Sequence, residues 1–281
     1  MTRHGDSSDS TGIVPAAEFD VRQFAREAHG SHRASLQLER YEQAPLDPAT
    51  LEIVDLLGRL ERSALSYLRS VLVTPTHKDA RLTAFLVTWA YEKYWVADAL
   101  ELVVAAHPGY APSVTGGVPR IARLRHGFGE RMEPIRESVV ANLIGEDVIA
   151  VHTLTGALDE WITQAAYESL LAAGDNEEFQ HTLELLLPVK RRHGEYFAAD
   201  ARDRLAASPK AAPLARRRLR RAAFPLGAPE EPPALLARLL GEVIPARELA
   251  AIDLRFNAFE GLAGLDLVAA AAGRAAKASG R

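Results

Sequence analysis

From Leu51 onward the apolar residues return every three or four positions. Leu51, Val54, Leu57, Leu60, Ala64, Leu65 and Leu68 form one stripe of a helix that starts at Pro48, with Asp47 as N-cap, and runs to about Val73. Pro75 ends it. A second helix is predicted over about 79–106, closed by His107-Pro108-Gly109, and it carries Trp89, Tyr91, Tyr94 and Trp95. A Gly/Pro-rich connection through Gly116-Gly117-Val118-Pro119 leads to a third helical region, from about Arg131 to Ala173, interrupted near Gly145. A fourth helix spans about 176–207 and contains Pro188, which removes one backbone hydrogen bond and predicts a kink. Ahead of these, Phe19 to His29 reads as a short helix, and the polar stretch from Met1 to Pro15 as a disordered start. Past Pro209 come a basic block, Arg216 to Arg221, a Pro-rich loop from Pro225 to Pro233, and two helices near Ala234–Gly241 and Ala246–Ala272. No strand-like alternation lasts beyond a few residues, and no repeat is visible. The pattern predicts an all-α fold with a disordered start (1–15), a helical bundle (16–207) and a C-terminal helical extension packed on it (208–281).

Composition agrees and removes several function classes. Hydrophobic residues make up 48% of the 281, enough for a core, and aromatic content is only 7%, which favours helix over sheet. A formal net charge of -4 provides no global field for nucleic acid. With no cysteine there are no disulfides, thiolate nucleophiles, cysteine zinc sites or iron–sulfur clusters. The polar start lacks the apolar segment of a signal peptide, and no run is long enough to span a bilayer. The expectation is a cytoplasmic protein with no membrane and no nucleic-acid partner.

Candidate chemistry concentrates on two predicted helix faces. Glu160, Thr163, Gln164 and Tyr167 share one by their spacing, and His193, Tyr196 and Asp200 share another. The Arg216–Arg221 block reads as a solvated helix end, because no aromatic residues are interleaved with it. His77, His107, His126, His152 and His181 have no mutual helical spacing and read as surface or loop histidines. Gly116-Gly117 is a loop, not a phosphate cradle, since no Lys-Ser/Thr follows.

Three stretches resemble a known family. Trp89-Ala90-Tyr91-Glu92-Lys93-Tyr94-Trp95 resembles the Trp-x-x-Glu-Glu-x-x-His stretch of soluble acyl-carrier-protein desaturases. Glu160-x-x-Thr163 resembles their third-helix ligand and its neighbouring threonine, and Val189-Lys190-Arg191-Arg192-His193 their Asp-Glu-Lys-Arg-His stretch. Over residues 50 to 206 the chain is therefore similar to the ferritin-like superfamily, on its desaturase or di-iron oxidase side. The resemblance implies a ferritin-like four-helix bundle in which Glu and Glu-x-x-His residues hold two irons. The departures are as informative as the matches. Lys93 and Val96 stand where a Glu-x-x-His is expected, and Lys190 stands where a Glu precedes His193. The helix-one carboxylate falls near Arg62 or Ser63, with Glu61 one residue of slip, about 100°, away.

Glu160 and His193 alone keep ligand-like places, and two ligands of six do not hold an iron pair. The resemblance thus implies a degenerate centre with no metal and no cofactor, where Lys93 and Lys190 form a buried network around Glu160. The leading expectation is a metal-independent enzyme, a homodimer, acting on a small, largely apolar substrate such as an acyl chain or specialised metabolite. Glu160 and His193 would be acid and base, and Lys93 or Lys190 an electrostatic partner or an amine made neutral by desolvation. Glu92, Trp95, Thr163, Tyr167 and Tyr196 would line the substrate pocket. One alternative is a non-catalytic binding or scaffold subunit; the other is a di-iron oxidase using Glu61, Glu92, Glu160 and His193.

Overall fold

The computed structural model describes residues 20–111 and 145–280, and every regular element among them is helical. Asp20 caps a short α1 (Val21–Arg26), its carboxylate accepting the Arg22 and Gln23 N–H groups. Asp47 starts α2 (Pro48–Arg62) in the same way, through Ala49 and Thr50, with proline at the first helical position. The predicted single helix to Val73 is divided: α2 ends at Ser63 and α3 (Ala64–Leu72) follows. The Ser63 hydroxyl donates to the Leu60 carbonyl at 2.6 Å, a back-bond of the kind that bends helices.

Asp79 caps α4 (Ala80–Ala105) through the Leu82 N–H, and Asn176 caps α6 (Glu177–Ala207) through that of Phe179. Between them lies α5 (Asp147–Ala173), which Gly145 enters with a φ of 80°. Both α4 and α5 are apolar on nearly all sides, as helices buried on several faces are. α6 runs unbroken through Pro188. The predicted helical start at 131–144, the disordered start at 1–15, the Gly116-Gly117 loop and His126 lie outside the described residues.

Contacts give the directions. Glu61 meets Lys93 and Tyr67 meets Trp89, so α2–α3 runs antiparallel to α4. Gly156 faces Phe197 and Glu168 meets Arg191, so α5 is antiparallel to α6. Glu61 also meets Tyr167 while Tyr67 meets His152, which makes α5 antiparallel to α2–α3. The order is up, down, down, up, and residues 106–146 join two helices pointing the same way.

The C-terminal extension consists of α7 (Ala211–Leu219), α8 (Pro233–Arg238) with a π turn after it, α9 (Ala246–Asn257) and α10 (Leu267–Ser279). The expected single helix over 246–272 is two. Gly261 and Gly264 hold φ values of 74° and 75° between them, and the Asp253 carboxylate accepts the Val268 and Ala269 N–H groups to start α10. One apolar core runs from Phe24, Leu57 and Trp89 through Leu158 and Phe197 to Phe256 and Val268, so the extension shares it. Among the described residues no helix is long and apolar enough to cross a membrane.

Candidate functional site

Where the two helical pairs meet, four charged side chains close a ring. Glu61 comes from α2, Lys93 from α4, Glu160 from α5 and Lys190 from α6, and each is at most 1% exposed. The Lys190 ammonium lies 2.8 Å from Glu61 Oε1 and 2.5 Å from Glu160 Oε2. Lys93 Nζ pairs closely with Glu61 Oε2 and lies 3.3 Å from Glu160 Oε1. Cation and anion alternate around the ring, so its four charges cancel locally.

Two neutral donors also reach the ring carboxylates. Trp89 Nε1–H donates to Glu160 Oε1 at 2.6 Å, and the Tyr167 hydroxyl to Glu61 Oε1 at 2.9 Å. Asp159 stands next to the ring, 3.3 Å from Lys93, and accepts the Leu226 N–H of the extension at 2.8 Å. A second cluster adjoins it. His193 Nε2–H donates to Glu92 Oε2 at 2.8 Å, while Glu92 Oε1 takes the His29 N–H and the Arg192 guanidinium. His193 Nδ1 is 3.7 Å from Glu160 Oε1 and has no hydrogen-bond partner among the described residues.

Burial and pairing oppose each other here, and pairing wins for the ring. Burial would raise Glu160, but Lys190 and Lys93 hold it well below the usual carboxylate range. Glu61 is lowered in the same way by Lys190 and Lys93 against its burial. Burial would depress Lys93, yet Glu160, Glu61 and Asp159 hold it well above the ordinary lysine value. The expected neutral amine is therefore not found at Lys93, because desolvation there is outweighed by three carboxylates. Asp159 ends on the other side: burial raises it, and Lys93 offsets only part of that. Tyr167 is pushed up by burial and then by Glu61.

Of the residues expected from sequence, Glu160, Lys93, Lys190 and Tyr167 meet in the ring, and His193 and Glu92 sit beside it. Thr163 is buried but turns its hydroxyl back to the Asp159 carbonyl at 2.9 Å. Tyr196 lies apart, stacked on Phe85 at 3.6 Å. Trp95 is not in the centre either: it packs edge-on against Tyr91 and Tyr94, which are 48% and 40% exposed. The aromatic run of α4 thus points both ways, and only Trp89 reaches the centre.

Glu61 is the member that register arguments displaced. It faces inward, and Arg62 turns out to Glu101 and the Tyr94 ring. The signal was present: Val54, Leu57, Glu61 and Ala64 keep the apolar spacing, which makes Glu61 a lone acid on a buried stripe. Asp159 offered no such signal, since nearly all sides of α5 are apolar, and Arg192 sits among the basic residues of α6 with nothing in its spacing to single it out. Among the surface histidines, His77 is exposed as expected. His107 is buried instead, accepting the Leu46 N–H on Nε2 and donating from Nδ1 to the Val103 carbonyl, and so ties the approach to α2 onto α4.

Two metal ions do not suit this donor set. The Glu61 and Glu160 oxygens that would bridge them are already within contact distance of two ammonium groups, and further hard donors are needed to offset metal charge. Among the described residues no group of three or more His, Asp or Glu side chains is arranged around a metal position. Three cavities lined by described residues lie at the ends of the long helices and beside α7, away from the ring. The chain matches no known protein family, no curated protein and no solved structure.

Proposed function

We propose that this chain is a ferritin-like bundle in which an ion-pair ring stands in place of a di-metal centre, and that it serves as a binding or scaffold protein. The observation that carries this reading is the ring itself: two lysine ammoniums each bridge Glu61 and Glu160, with every member out of contact with water. The helix order supports it, because up, down, down, up with one long connection is how ferritin-like bundles are wired. A ring whose charges are all satisfied has little left to offer a substrate. Lys93 is held charged and so is a poor nucleophile.

A second reading keeps one observation in its favour. His193 Nδ1 is buried without a hydrogen bond and faces Glu160, which is where an acid–base pair would act on a small apolar molecule entering the centre.

One pair of measurements separates the readings. Protein expressed with added iron is assayed for metal, and the expected result is no stoichiometric iron; two irons per chain with a carboxylate-bridged spectrum would overturn the proposal. The Trp89 indole N–H, held on Glu160, then reports access to the centre in a fragment screen by NMR. The expected result is an indole signal that no fragment moves. A fragment that shifts it saturably would establish the catalytic reading instead.

A further inference from the structure

The arginines of the last turn of α7 and just beyond it line a cavity that neither reading of the bundle centre uses. It measures about 460 Å³ and lies between α3, α5 and α7. Arg217, Arg218 and Arg221 line it together with the apolar Val148, Val151 and Leu226. The basic block is not uniform. Arg216 is a strut, donating to the Gly261 and Ala263 carbonyls at 3.2 and 2.7 Å. Arg217, Arg218 and Arg221 make no ion pair with any described carboxylate, and Arg218 Nε is buried with no hydrogen-bond partner.

The hydroxyls around the cavity have spent their protons. Tyr67 donates to the His152 carbonyl at 2.8 Å, Ser70 to the Tyr67 carbonyl at 2.7 Å, Thr74 to the Val71 carbonyl at 2.6 Å and Thr155 to the Val151 carbonyl at 2.8 Å. Besides the His152 ring, whose Nδ1 meets the Thr76 hydroxyl, the guanidinium N–H groups are the spare side-chain donors, and their three positive charges meet no carboxylate among the described residues. A helix C-terminus favours cations, but that accounts equally for arginines pointing into water. It does not gather three of them over an apolar wall.

We propose that this cavity binds a small molecule carrying a phosphate monoester on a compact apolar body. A phosphate monoester brings close to two negative charges and several strong acceptors, which suits three forked guanidiniums better than one carboxylate does. The valines and Leu226 take the apolar body, and the volume is that of a small-metabolite site. Two sources carry such a phosphate, a free metabolite and a lipid headgroup.

Calorimetry on the full chain with inorganic phosphate and with hexyl phosphate tests the site. Hexyl phosphate is expected to bind saturably and more tightly than inorganic phosphate. Arg218→Gln is expected to weaken it about tenfold, as loss of a charge-assisted hydrogen bond does. Arg247→Gln removes the same charge from the exposed side of α9 and is expected to change nothing. Arg221→Gln, at an exposed position, carries the test if Arg218→Gln fails to fold. Absence of saturable binding by either probe would overturn the proposal, as would equal weakening by Arg247→Gln, which marks diffuse charge. Equal affinity for the two phosphates would overturn the role of the apolar wall. Sedimentation with phosphatidylcholine vesicles containing phosphatidic acid names the source. Arg218-dependent pelleting assigns a lipid headgroup, and hexyl phosphate binding without pelleting a free metabolite.

Discussion

A carboxylate at 0% exposure is tolerable only while its partners remain, and Glu160 has two ammoniums and an indole. Glu160→Gln keeps the shape and removes the anion, so a buried cation loses its compensation. The expected loss is about 3–5 kcal/mol in urea unfolding. Glu101→Gln, which breaks the half-exposed pair with Arg62, is expected to cost about 0–1 kcal/mol. Similar losses for the two would refute the ring as a cooperative unit. Acid acts on two groups at different pH. Glu160 is depressed in the fold, so its contribution is present above the unfolded value of about 4.3 and is lost only as pH falls through its lower folded value. His152 is lowered to about 4 by burial and then by Arg218. Between about 4 and 6.5 the unfolded chain binds a proton there that the folded chain refuses, so stability rises with pH across that window. His152→Asn should flatten the stability curve between pH 4 and 6.5 and leave the descent below it. An unchanged slope in that window would place the titrating group elsewhere.

At the α5–α6 contact, a Cβ added to Gly156 would come within 2.5 Å of the Phe197 ring. Glycine inside a helix ordinarily costs about 1 kcal/mol against alanine, so Gly156→Ala would stabilise an open position. Here the buried ring must move, and overpacking of about 1–3 kcal/mol outweighs the gain. The expected sign is destabilisation, read as a lower thermal midpoint; a rise would show that the helices separate there at little cost. Elements of this kind were legible to different degrees. The first long helix followed from the three-four spacing and from Asp47 as cap, the others from their breakers, and Lys93, Glu160 and Lys190 were brought together by the resemblance to the ferritin-like bundle. The break at Ser63 was hidden, because the apolar stripe continues across it and a hydroxyl back-bond leaves no periodic trace. The division of the last helix was hidden likewise, since the positive-φ glycines at 261 and 264 lie in a stretch still rich in Leu and Ala. Trp95 was misplaced because a helix with apolar residues all round does not declare which face is inner.

At the scale of the whole molecule the extension is part of the core. Leu226 N–H completes Asp159, and Phe259 stacks on Trp161 with ring centroids 6.0 Å apart. A chain ending at Ser208 is expected to lose its cooperative thermal transition, since Trp161 and the Asp159 carboxylate would then face water. A sharp two-state melt of that shorter chain, followed by circular dichroism, would show the bundle to be self-sufficient. The ring also has a bearing on how the protein is made. Glu61 leaves the ribosome 129 residues ahead of Lys190, a delay on the order of ten seconds at ordinary elongation rates. Through that interval α2 and α4 have Lys93 but neither Glu160 nor Lys190, and α5 waits for its last backbone donor until Leu226 emerges. The N-terminal half therefore lacks the partners that close its ring, and its apolar stripe stays open until Lys190 and Leu226 have emerged. Closure of the ring is thus expected to wait for its distant members, which leaves the nascent N-terminal half dependent on whatever shields hydrophobic surface at the ribosome exit.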